Sequence, residues 1–122
     1  MKNKKKIKWL KKPQSHDYVA ALSYLTLIYN GTTTELIKKL KAASLSEFKA
    51  KDIFRAANVS LLGISNSHVE KDRKKIKNGI ALSPILLVRD QTHGRLIIAD
   101  GYHRLCAIYS IDEDAIISCK IV

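Results

Sequence analysis

A chain of 122 residues supports one domain around one core, and 46% hydrophobic with 27% charged residues is an ordinary globular balance. No apolar run approaches the roughly 18 residues of a membrane span, and the basic residues 1–6 are not followed by the apolar stretch of a secretory signal. The formal charge of +11 is uneven: Lys2, Lys4, Lys5, Lys6, Lys8, Lys11 and Lys12 precede Pro13 with no acid among them, leaving +4 on residues 13–122.

Residues 1–12 read as a basic tail, disordered or loosely docked. Its lysines serve solubility, or a weak, salt-sensitive contact with nucleic acid. Arginine, the better fork for phosphates and bases, is absent from it, and Trp9 could stack on a base or pack on the body. Residues 13–45 read as a helical hairpin. Ser15, His16 and Asp17 offer N-cap oxygens to a helix running to about Tyr29, with Val19, Leu22, Leu25 and Ile28 (and Ala20, Tyr24 and Leu27) as a wide apolar face. Asn30-Gly31 ends it, and Thr32 with Glu35 has the form of a capping box for a second helix through about Ala43, with Leu36, Ile37 and Leu40 inward.

Residues 46–122 form the core of a single domain, 13–122. Phe48-Lys49-Ala50 is a short strand, or Ser46 caps a helix through Ala57. Asn66 or Ser67 caps a charged helix over residues 68–78, with Val69 and Ile76 inward and Gly79 at its end. Residues 84–88 are a continuous apolar run, expected of a strand covered on both faces. Residues 90–94 read as a hairpin turn and 95–99 as the returning strand. A short helix over 102–110 and a strand over 115–122 close the chain. The fold class is α/β (α+β), a small mixed sheet with helices. Cys106 and Cys119 have no metal-type spacing and read as free thiols in a reducing, cytoplasmic setting.

The chemistry concentrates at Asp100-Gly101-Tyr102-His103-Arg104, where a strand turns into a helix. A helix's first turn carries unpaired N–H groups and the positive end of its dipole, so it favours an anion. Gly101 permits positive φ and a close approach to the backbone. His103 and Arg104 put positive charge on that positive end, which calls for an anion to neutralise it. Against this, Asp100 could serve merely as the N-cap, Gly101 could be structural and Arg104 could make an internal salt bridge.

From Arg55 to Val122 the chain resembles the ParB/sulfiredoxin superfamily. The shared pattern is a charged helix, Pro with an apolar strand, a loop, a second strand ending in a G-x-H/R-R turn, a short helix and a last strand. The turn is most similar to the Asp-Gly-His-His-Arg of ParB-like free-serine kinases and the Gly-Cys-His-Arg of sulfiredoxins. The resemblance implies that Gly101, Tyr102, His103 and Arg104 surround nucleotide phosphates, with Arg55 and His68 as further phosphate contacts and Phe48-Lys49-Ala50 as the first strand. It implies His103 and Asp100 as catalytic groups, with Asp52 and Glu70 as alternative carboxylates, and a nucleotide (ATP, ADP or CTP) with Mg2+ as cofactor. Tyr102 stands where sulfiredoxins carry their catalytic Cys, and Cys106 lies one turn later among apolar neighbours, which argues against sulfinic-acid reduction. No helix-turn-helix region follows within these residues, so a partition role is not expected. The expectation is a nucleotide- or phosphometabolite-binding domain, a small phosphotransferase if it is an enzyme. The alternative is a non-enzymatic module that binds nucleic acid or protein with its core and lysine-rich tail, away from any membrane.

Overall fold

The computed structural model describes residues 6–62 and 66–122. It holds five α-helices and four strands: α1 (Ser15–Ile28), α2 (Thr33–Ala42), β1 (Ser46–Lys49), α3 (Ala50–Ala57), α4 (Ser67–Lys77), β2 (Ile85–Asp90), β3 (Arg95–Asp100), α5 (Tyr102–Ile111) and β4 (Ile116–Ile121). The sheet order is β1-β4-β2-β3, with β2 and β4 parallel and the two outer pairs antiparallel. The architecture is mixed α+β.

The continuous apolar run behaves as a strand with two buried faces. Ile85 and Leu87 enter one core with α3, α4 and α5, while Leu86 and Val88 enter a second with α1 and α2. Successive side chains leave a strand on opposite sides, so one apolar sequence serves two layers. Residues 91–93 form a 3-10 turn whose Asp90 accepts from the His93 N–H, and Gly94 closes it with φ +61°.

Both alternatives for the Ser46–Ala57 stretch are realised in succession. A four-residue strand pairs Phe48 with Ile117, and a helix starts at Ala50 without a break. Ile53 and Ala57 then share a buried face, and Phe54 meets Tyr109 of α5 edge to face, with ring centroids 4.8 Å apart.

Three local expectations are corrected. The N-cap of α1 is Gln14, not Ser15: the Gln14 N–H donates to Asp17 Oδ2 at 2.8 Å, and its side-chain oxygen accepts from Ser83. The inward face of α1 is Asp17, Ala21 and Leu25, whereas Val19 and Leu27 are 67% and 85% exposed. This helix is apolar all round, so its pattern names no face, and the polar anchor at Asp17 sets the rotation. For α2, Thr32 is the cap residue but its side chain makes no cap bond, and Glu35 pairs instead with Lys38 on the surface. Ile37 and Leu40 are buried as expected, with Leu36 packed beside them.

The tail is docked over its described part. Trp9 forms a parallel β-bridge with Leu82, the Leu10 N–H donates to the Leu82 carbonyl at 2.8 Å, and Ile7 and Trp9 pack on the first core. Residues 1–5 lie outside the described residues. Among the described residues no helix is long and apolar enough to cross a membrane, and Cys106 and Cys119 are buried free thiols.

Candidate functional site

β3 delivers the chain to Gly101, which begins α5 with φ +104° and no side chain capping the helix's first N–H groups. A Cβ at Gly101 would lie 2.8 Å from Ile85 Cγ1 and 2.8 Å from Arg104 Nη2. Both the backbone angle and this close approach demand glycine, so its presence is explained by packing alone. Asp100 is not the cap. Its carboxylate reaches forward to Arg104, with Nη2 2.9 Å from Oδ2.

Arg104 is also held by Asp17 of α1, with Nη1 3.2 Å from Oδ1, and its side chain is only 14% exposed. Its Nε is buried without a hydrogen-bond partner among the described residues. The anion that the sequence seemed to lack beside Arg104 is therefore supplied from within, by two carboxylates. Burial pushes Asp17 up, but the Gln14 N–H and the Arg104 guanidinium outweigh it and hold the carboxyl below its ordinary value. At Asp100 burial wins over the pull of Arg104, and a hydrogen bond shared with Asp17 adds to it, raising the carboxyl to about 6.

Other basic side chains gather beside the turn. The rings of His103 and His68 lie 4.8 Å apart, joining the first turn of α5 to the first turn of α4. They line a polar cleft of about 240 Å³ with Lys71, Lys75, Asp72 and His16. Burial and the neighbouring His68 lower the pKa of His103, with Asp72 pulling the other way. Burial raises Asp72 against the attraction of Lys75 and Arg104. At neutral pH His103 is thus held mostly uncharged, able to donate through one ring nitrogen and accept through the other.

Tyr102 also lines this cleft, its ring 5.6 Å from that of His103, and its hydroxyl donates to the Ser60 carbonyl. Arg55 is not brought to the turn: it is 83% exposed on α3 and paired with Asp52. Asp52 lines a separate, mainly apolar hollow of about 410 Å³ beside the β2–β3 hairpin. Glu70 pairs with Arg73 over another groove. Asp72, Lys71 and Lys75 went unmarked in the sequence because a charged helix shows no preferred polar face. Their i+3, i+4 and i+7 spacing from His68 was the available signal.

Among the described residues no group of three or more His, Cys, Asp or Glu converges as a metal-holding set. A nucleotide's Mg2+ needs only one or two protein carboxylates besides the phosphates. Asp72 fits that role, whereas Asp100 is engaged by Arg104. Comparison with protein-family models, with curated proteins and with solved structures found no match.

Proposed function

We propose that the cleft between the first turns of α4 and α5 binds the phosphates of a nucleotide or phosphorylated metabolite, and that the chain is a small phosphotransferase of ParB/sulfiredoxin-like architecture. The observation that carries this reading is the convergence of His68, His103, Lys71 and Lys75 on the uncapped start of α5. Such a start offers N–H donors to an anion, and the lysines add positive charge beside the Asp72 carboxylate. Phosphoryl transfer asks a protein mainly for positioning and charge stabilisation. His103, kept neutral, is placed to move a proton, and Mg2+ with the phosphates would supply charge neutralisation beside Asp72. Arg104 orients the turn through Asp17 and Asp100 and need not touch the ligand.

Thermal shifts with ADP, ATP and CTP, each with and without Mg2+, test the reading. Ligand at a hundredfold excess over its Kd stabilises the fold by about 2.7 kcal/mol. At least one nucleotide raises the melting temperature of the wild type, and the response is lost in His68→Ala/His103→Ala and reduced in Lys71→Ala/Lys75→Ala. No response in the wild type, or an equal response in the double histidine variant, overturns it. Arg104→Ala is unsuitable as a probe, because breaking a buried pair costs about 3–5 kcal/mol of stability by itself.

A second reading, a nucleic-acid-binding module, is favoured by the docking of the tail. The Lys8 ammonium lies beside Gly79, just past the lysine-rich end of α4.

A further inference from the structure

β3 is an outer strand, and its outward edge is bare. Two bonds, from the Arg89 N–H to the Val122 carbonyl at 2.7 Å and from the Val122 N–H to the Leu87 carbonyl at 3.2 Å, turn the backbone of Leu87 and Arg89 toward β4. Backbone direction alternates along a strand, so Val88 turns toward β3, where it faces Ile97. By the same alternation Leu96 and Ile98 direct their N–H and C=O groups away from β2. Among the described residues no hydrogen bond outside the sheet takes these four groups.

The space beside them is open. Every residue of β3 from Arg95 to Asp100 lines one groove of about 720 Å³. Side chains of neighbouring strand residues point to opposite faces, so consecutive residues share a cavity only along their backbone edge. The groove is walled on one side by Tyr24 and Ile28 of α1 and on the other by Ala57 at the end of α3 and Val59 beyond it. Tyr24, Ile28 and Val59 are partly exposed apolar side chains. The opposite edge of the sheet is different: β1 is four residues long and carries Glu47 and Lys49, the charges and shortness that normally discourage pairing. β3 has six residues, with Leu-Ile-Ile-Ala uninterrupted between its charged ends.

We propose that this edge receives an extended peptide segment of a partner protein as a fifth strand. The segment carries apolar side chains on both faces, to meet the two walls, and an acidic residue at the end beside Arg95. Arg95 is 53% exposed, its ion pair with Asp90 runs through Nε alone, and the chain as a whole is strongly basic. A second copy of this chain does not suit the groove. Its own α1 and residues 57–60 rise on either side of its β3, so like walls meet before the two edges come within the ~4.8 Å of paired strands. Addition of a strand to a free edge draws affinity from main-chain bonds and specificity from alternate side chains. The proposal does not rest on the phosphate reading of the neighbouring cleft.

The test uses the full chain and the capped peptide acetyl-Glu-Val-Thr-Val-Ile-Val-amide, followed by backbone NMR and amide exchange. The peptide slows exchange at Leu96 and Ile98 by about tenfold or more, and its affinity falls about tenfold when alternate peptide amides are N-methylated, as expected for losing two main-chain bonds. Leu96→Pro removes an outward N–H from an edge strand, a position where proline is tolerated, and weakens binding similarly. Lys71→Ala/Lys75→Ala, at side chains that line the neighbouring cleft and not this groove, leaves peptide binding unchanged. The proposal is overturned if saturating peptide leaves Leu96 and Ile98 unprotected, or if the N-methylated peptide binds equally well to the wild type, a comparison that needs no variant to fold. Concentration-dependent self-association abolished by Leu96→Pro would also overturn it, making a second copy the occupant.

Discussion

Arg104 sits between two carboxylates, and their net shifts run in opposite directions although burial pushes both up. Asp17 is held below its ordinary value and Asp100 is raised to about 6. A raised carboxyl pKa means that the folded state holds the proton more tightly than the unfolded chain. The stability contributed by Asp100 is therefore present below the unfolded value of 3.8 and is lost as pH rises through about 6. Asp17 acts with the opposite sign, losing its contribution as pH falls below 3.8 through its lower folded value. Thermal unfolding of wild type and Asp100→Asn between pH 4 and 7.5 separates the two. The wild type loses melting temperature relative to the variant as pH rises across the range, and parallel curves would refute the assignment. At this scale the sequence was half legible. The Asp-Gly-x-His-Arg string drew attention to the turn, yet Asp17 lies 87 residues before Arg104, so no local pattern announces their pairing.

The helices show where element-level reading succeeds. In α4 the Asn66 oxygen accepts from the His68 and Val69 N–H groups, Val69 and Ile76 are buried, and Gly79 follows the end with φ +71°. Each feature was readable because it depends on neighbours three or four residues away. α1 is the counter-case. Its apolar residues surround the helix, and the Asp17–Arg104 pair together with contact with β3 and α2 selects Ala21 and Leu25 for burial. Leu25→Ala should cost about 2–5 kcal/mol in urea unfolding, as for other fully buried leucines. Leu27→Ala should stay within about 0.5 kcal/mol, as surface changes do. Equal losses would mean that α1 is rotated. The strand-then-helix passage at Lys49–Ala50 was ambiguous because four residues are too few to establish a period of two.

For the whole molecule the question is how the charge is arranged. Trp9 bridging Leu82 docks its stretch of the chain and sets Lys8 beside Gly79 at the end of α4. If nucleic acid is the partner, Lys8→Gln/Lys11→Gln/Lys12→Gln should weaken binding and flatten the dependence of affinity on salt, while Trp9 keeps the segment docked. An unchanged salt slope in filter binding or fluorescence anisotropy would remove the tail from the interface. A nucleotide ligand held in the cleft should be much less affected by this triple change, because His68, His103, Lys71 and Lys75 stay in place.

The sequence by itself determined the order of the elements after Ser67, the two-sided burial of β2 and the glycine turn before α5. These rest on side-chain period, capping and backbone angle, which act over a few residues. Only the tertiary structure decided which face α1 buries, that Arg104 is neutralised from within, that His68 meets His103, and that the β3 edge of the sheet lines an open groove. Those outcomes depend on groups far apart in the chain, and a linear pattern carries no term for the distance between them.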